Sequence, residues 1–314
     1  PKVLKIGMIK YIKKVIEEVP EEIKSVAATP AADHLFEVRE ENKDKLLPEE
    51  QALTFHRTTA QLLFLSARAR PDIRTPVSFL CTRTRAPDED DWGKLKRVLK
   101  YLYGTRHMKL CLTAENLENI TWWVDASYAV HWDSRSHTGM VMSLGLGAVM
   151  SGSWRQKLNT GSSTEAELVG IDDAIQYIMW GLYFIQAQGF EVKKNVLMQD
   201  NKSTILMASN GRFSCTKRTK HIKNRYFIIK DKIGRGEVII QYCPTGDMWA
   251  DINTKALQGS LFYKIRARLM GIDENYHDDL ERENTHPTLL PQEAQECGVS
   301  DETKEVLRLS LRQI

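Results

Sequence analysis

Thr121-Trp122-Trp123-Val124-Asp125-Ala126-Ser127-Tyr128 is where the chain changes period. Before it, apolar residues recur at three- and four-residue spacing; from Ile120 onward they follow the alternation of strands. An aspartate between Val124 and Ala126 in an aromatic strand is out of place, because Asp is disfavoured in strands and rarely buried without a partner. Either Asp125 ends the strand facing solvent, or something in the fold compensates it, a metal ion being the simplest candidate. Residues 139–144 and 148–154 read as two further strands, joined by a turn through Gly145 and Gly147. A long helix over 164–186, a strand over 195–199, a short helix after Asp200, a basic helix over 216–232, a strand over 237–243 and helices around 248–255 and 260–270 follow. Three strands and then alternating helix and strand imply a mixed sheet covered by helices.

Upstream, Met8, Ile9, Ile12, Val15, Ile16 and Val19 predict an amphipathic helix over 1–20, ended by Pro20. A polar connector leads to Pro48-Glu49-Glu50, a helix opening with acids in its first turn. Arg70-Pro71-Asp72-Ile73 breaks that helix, and another runs to about Arg83. The acidic turn 88–91 opens a further helix with Trp92, Leu95, Val98, Leu99 and Leu102 on its apolar face. Its other residues include Lys94, Lys96, Arg97 and Lys100, an edge that either meets phosphate or is simply solvated. The polar linker 115–119 is the expected domain boundary. After Gly271 apolar periodicity fades, which predicts a disordered acidic tail.

The sequence is 42% hydrophobic over 314 residues, enough for a sizeable core and longer than one average domain. No run of 18 apolar residues occurs, so a membrane span is not expected. Pro1-Lys2-Val3 carries no signal pattern and reads as the start of a fragment or processed product, not of a secreted precursor. Five cysteines, odd in number and widely spaced, argue for a reducing, intracellular setting and against structural zinc. The net charge of +3 conceals an asymmetry: residues 273–314 hold eleven acidic and four basic side chains, a balance of −7, which leaves +10 on residues 1–272. A basic body favours a polyanionic partner.

Three more carboxylates stand out, and each also has an ordinary explanation. Glu167 completes a capping box with Thr164, as Glu165 does with Ser162. At about 100° per residue, however, Glu167 shares the face of Ile171, Ala174, Ile178 and Ile185, so it should look towards the sheet. Asp200 follows a strand and precedes a helix, where N-capping is its usual task. Strand ends in open sheets are also where ligand sites form. Asp251 falls within the helix expected from Thr245, where the helix dipole favours an acid.

In order and setting, Val124-Asp125-Ala126, Ser162-Ser163-Thr164-Glu165-Ala166-Glu167, Asp200-Asn201-Lys202-Ser203, Thr219-Lys220-His221-Ile222 and Ala250-Asp251-Ile252-Asn253-Thr254-Lys255 resemble the ribonuclease H domain of copia-type retrotransposon polyproteins. Arg70-Pro71-Asp72-Ile73 and the stretch 96–105 are similar to the thumb and connecting region of the same family's reverse transcriptase. The resemblance implies an α/β ribonuclease H-like mixed five-stranded sheet flanked by helices, preceded by a mainly helical thumb-like domain. The expected division is 1–115 thumb and connection, 119–272 ribonuclease H, and 273–314 acidic tail. It also implies a metal-dependent endonuclease that cuts the RNA strand of RNA/DNA hybrids, with Asp125, Glu167, Asp200 and Asp251 as catalytic residues holding two magnesium ions, manganese being able to substitute. Asp125 would bridge the two ions, with Glu167 and Asp200 on one and Asp251 on the other.

The partner is then a hybrid duplex, together with the missing polymerase fingers and palm or other retroelement proteins; the setting is a cytoplasmic particle or the nucleus, away from membranes. Ser163, Thr164 and Asn201, beside the acids, are placed to meet the 2′-hydroxyl that marks RNA. Lys217, Arg218, Lys220 and Arg225, with His221 among them, form a basic patch suited to phosphate. Tyr276-His277-Asp278-Asp279 fits a polymerase palm pattern but lies in acidic surroundings without flanking strands, so polymerisation is not expected. The contrasting expectation is a non-catalytic nucleic-acid-binding remnant of a truncated element.

Overall fold

The computed structural model describes residues 2–38, 45–115, 117–210 and 223–274, without the side chains of 210 and 223–226. In the first part, strand β1 (Leu4–Ile6) pairs antiparallel with β2 (Leu110–Leu112). That pairing takes the first residues of the expected helix, so α1 covers only Ile9–Glu17. Helices α2 (Glu49–Arg68), α3 (Arg74–Arg83) and α4 (Glu89–Gly104) follow, with a 3-10 turn at Pro71–Ile73 between the first two. The acidic opening of α4 is a capping box: Asp88 accepts from the Asp91 amide and Asp91 from the Asp88 amide.

The second part is the mixed sheet expected from the change of period. Its strands are β3 (Asn119–Ser127), β4 (His137–Ser143), β5 (Met150–Arg155), β6 (Lys194–Gln199) and β7 (Ile239–Tyr242), in the order β5-β4-β3-β6-β7. The β3–β4 and β4–β5 pairs are antiparallel, whereas β3–β6 and β6–β7 are parallel. Helices α5 (Ser163–Ala187), α6 (Lys202–Asn210), α7 (Lys223–Gly234) and α8 (Gly259–Met270) complete a five-stranded mixed sheet flanked by helices, the architecture that the resemblance implies. In the turn between β4 and β5, Gly147 has φ 72°, and a Cβ there would lie 2.2 Å from the Cys111 carbonyl oxygen. Only glycine meets both demands.

Alternation in β3 sends Ile120, Trp122 and Val124 into the core under α5, against Leu168, Ile171, Ile178 and Leu182. Gly181 lets the helix approach, since a Cβ there would meet the Trp122 ring at 2.7 Å. A second core cluster joins Val141, Ala148, Ile252, Phe262 and Leu269 to Ile12, Phe55, Leu62, Val77 and Leu99 of the helical part. The described residues all lie within one compact unit. Among them, no helix is long and apolar enough to cross a membrane.

The helix expected around 248–255 is instead two 3-10 turns, Thr245–Asp247 and Trp249–Asn253. Tertiary contacts hold it so: Trp249 stacks on Trp123 with ring centroids 4.3 Å apart, and the Asn253 amide donates to the Met140 carbonyl and to Ser151. Residues 216–222 of the basic helix, the palm-like tetrapeptide and all of the tail beyond 274 lie outside the described residues.

Candidate metal centre

Asp125 lies near the end of β3 and Asp200 follows β6, so two neighbouring parallel strands deliver both carboxylates to one edge of the sheet. The first turn of α5 brings Glu167 to the same place. One oxygen from each of the three lies within 4.8 Å of the others. Asp125 is 1% exposed and Glu167 6%, while Asp200 is half-buried. Asp251, 2% exposed, arrives on the 3-10 turn beneath Asp125.

The competing capping roles are taken by neighbours. Ser162 accepts from the Glu165 amide, and Glu165 accepts from the Gly161 amide, so the α5 cap is complete without Glu167. Asn201 accepts from the Thr204 amide at 3.1 Å and caps α6. Asp200 is thereby spared and receives the Thr245 hydroxyl at 3.1 Å. Gln199 donates to Glu167 at 3.3 Å and accepts from the Asn201 amide at 2.9 Å, tying helix, strand end and cap together.

Crowded carboxylates out of water resist ionisation. Burial, then the charges of Asp125 and Asp200, push the Glu167 carboxyl well above its usual range. Burial and Asp125 raise Asp200 as well. The same two causes push Asp251 up to about 7. Among the described residues one cation answers them: the Lys255 ammonium is 2.6 Å from Asp251 Oδ1 and 3.3 Å from Asp125 Oδ2. Burial opposes the charge on Lys255, but Asp125 and Asp251 outweigh it and hold its pKa above the ordinary lysine range. Thr254 donates a short hydrogen bond to Asp125 Oδ2.

Of the other expected contacts, Ser163 is exposed and Thr164 half-buried at the start of α5, and Asn201 is half-buried at the start of α6. The Thr204 hydroxyl donates to the Thr164 carbonyl, bracing the two helix starts against each other. Lys217, Arg218, Lys220 and His221 lie outside the described residues, and Arg225 is on α7 with its side chain not described. Gln199, Thr245, Thr254 and Lys255 had no role in the sequence reading. Lys255 alone had a visible signal there, its i,i+4 spacing from Asp251.

A buried oxygen-donor set of this kind suits a hard divalent cation. Along 274 residues the chain is 27% identical to the retrovirus-related Pol polyprotein from transposon TNT 1-94 of Nicotiana tabacum, a match covering 85% of this chain and 20% of that one. Over 205 residues it is 29% identical to the corresponding polyprotein from transposon RE2 of Arabidopsis thaliana, covering 65% and 14%. It thus spans about a fifth or less of the length of these relatives. Among solved structures, LC11-RNase H1 isolated from compost aligns with 43% of this chain and 91% of its own at 14% identity and a TM-score of 0.33. No family model matches the chain. Relatives of one kind are thus matched along most of its length, and the chain is similar at 27–29% identity to copia-type retrovirus-related Pol polyproteins from transposons.

Proposed function

We propose that this chain is a ribonuclease H-type endonuclease that hydrolyses the RNA strand of RNA/DNA hybrids with divalent metal ions, and that it works as part of a longer retroelement polyprotein. The carrying observation is the convergence of Asp125, Glu167 and Asp200 at adjacent parallel strand ends, with their capping duties taken by other residues. The donor set fits such ions: the carboxylates are crowded, mostly buried and, among the described residues, matched by a single lysine. Asp125, Glu167 and Asp200 would hold one cation, and Asp125 with Asp251 a second. When bound, magnesium or manganese supplies Lewis acidity towards the scissile phosphate and an acidified water.

The chain's own residues do the rest. Gln199 and Thr254 orient Glu167 and Asp125, and the buried setting strengthens every charge interaction at the phosphate. Ser163, Thr164 and Asn201 offer polar groups at the two helix starts for the 2′-hydroxyl. The basic segment with Lys217, Arg218, Lys220, His221 and Arg225 supplies phosphate contacts that fix the duplex without reading its sequence. In this reading residues 1–115 are a thumb and connection, 119–272 the nuclease domain, and 273–314 an acidic tail.

The test is cleavage of an end-labelled hybrid with and without magnesium, beside single-stranded RNA, duplex DNA and the Asp125→Asn variant. Metal-dependent cutting of the hybrid's RNA strand, reduced at least ~100-fold in Asp125→Asn, is expected from losing one member of the metal-holding set. Salt-sensitive hybrid binding with no cleavage would leave a nucleic-acid-binding remnant instead.

A further inference from the structure

A groove of about 660 Å³ lies between α4 and the residues 26–35 that pack across it. That is ample for a nucleotide-sized ligand. Small apolar side chains of residues 26–32 form one wall, and α4 forms the other with Lys94, Lys96, Arg97 and Lys100. Two of these cations are already matched. Lys94 is 2.9 Å from Asp90 Oδ2 and 2.6 Å from the Glu37 carbonyl, and Lys96 is 3.0 Å from Glu21.

Arg97 and Lys100 are not. Arg97 donates through Nη2 to the Thr29 hydroxyl at 2.9 Å, while its Nε is buried with no acceptor. Among the described residues Lys100 makes no ion pair or hydrogen bond, and its charge acts on Glu21 only at longer range. Three residues apart on a helix, the two side chains share a face. One turn before Arg97, Gly93 leaves the floor open: nothing lies within 4 Å of where its Cβ would be. Thr29, which receives Arg97, is itself 3% exposed and donates to the Ala31 carbonyl, so the guanidinium is anchored at one corner with its remaining donors still to use.

A buried guanidinium N–H without an acceptor is costly, and a planar fork beside an ammonium is the donor set that oxyanions of phosphate satisfy best. We propose that this groove is a phosphate-binding site, distinct from the carboxylate cluster, which takes the phosphate of a nucleotide, either free or within a nucleic acid strand. Arg97 and Lys100 contact the phosphate, and the apolar wall receives the attached sugar or base. Lys94 and Lys96, neutralised by Asp90 and Glu21, hold the helix in place.

The experiment measures binding in EDTA, so that the carboxylate site contributes no metal-dependent affinity. Its two probes are adenosine monophosphate and a fluorescein-labelled 12-base-pair RNA/DNA hybrid. The full chain is compared with Lys100→Ala, which breaks no hydrogen bond or ion pair among the described residues, and with Arg97→Ala/Lys100→Ala, each checked by thermal unfolding. For the probe that uses the groove, Lys100→Ala should weaken binding roughly 3–10-fold, the double variant more, and for the hybrid the slope of log affinity against log salt should fall by about one. Loss confined to the mononucleotide identifies a free nucleotide as the ligand, and loss confined to the hybrid identifies the strand backbone. Unchanged affinity in both arms for both folded variants overturns the proposal. Binding is read without metal and cleavage with it, so failure of the nuclease reading and failure of the groove are separately visible.

Discussion

Among the described residues, Lys255, between Asp251 and Asp125, is the only cation in ion-pair contact with the carboxylates of the site. Replacing it by Met leaves two buried carboxylates without their counter-charge, which is the costly way to break a buried pair. The lysine side chain is 41% exposed, so the loss is discounted for solvent screening to about 1–2 kcal/mol. Lys255→Met should therefore melt lower than wild type without metal and gain more from added magnesium; equal magnesium-induced shifts in Tm would refute this role. Asp251 makes a pH prediction. Burial and Asp125 push its carboxyl up to about 7. Folded protein keeps a proton that the unfolded chain releases near pH 4. This group's stabilising contribution is thus complete below about pH 4 and is lost as pH rises through about 7. Buried His131 and His137 are shifted the other way, chiefly by burial, and act below their ordinary range near pH 6.5. Between pH 6.5 and 8, metal-free wild type should lose roughly 1 kcal/mol relative to Asp251→Asn. Parallel stability curves for the two would remove Asp251 as the cause.

At the scale of elements, the site depends on how closely β4 approaches the 3-10 turn that carries Asp251. Gly139 lies opposite Asp125 in the β3–β4 register, and a Cβ on it would come within 2.7 Å of the Ala250 carbonyl oxygen and 2.9 Å of Asn253 Cβ. Its backbone is not in the left-handed region, so alanine tests the contact and not the conformation. Gly139→Ala should push the turn away, cost about 1–3 kcal/mol as overpacking does, and weaken magnesium binding measured by calorimetry. Wild-type metal affinity in a folded Gly139→Ala protein would mean that Asp251 is not held by this approach.

For the whole molecule, the helical part and the sheet share a core, and its polar centre is Arg70. The guanidinium pairs bidentately with Asp72 and also donates to the Thr105 carbonyl and hydroxyl; Tyr101 donates to Asp72 at 2.6 Å. Arg70 is 1% and Asp72 2% exposed. Arg70→Met keeps much of the volume but takes the bidentate partner from the buried Asp72 charge, and should cost about 3 kcal/mol in chemical denaturation. A loss below 1 kcal/mol would show that Tyr101 and the nearby charge of Arg266 suffice for Asp72.

The sequence by itself determined the change from helical to strand period at Ile120, the strand order and most of the helices after it, and which four acids to propose for the site, because these follow from local patterning and side-chain chemistry. Tertiary structure alone decided which acids are caps and which are left for the site. Asp200 and Asn201, or Thr164–Glu167 and Ser162–Glu165, are near-equal choices to a helix end; what separates them is the place to which distant strands bring each carboxylate. The same holds for the 3-10 backbone at Asp251, imposed by Trp123, Met140 and Ser151 from far along the chain, and for Lys255, whose second carboxylate lies 130 residues away in sequence.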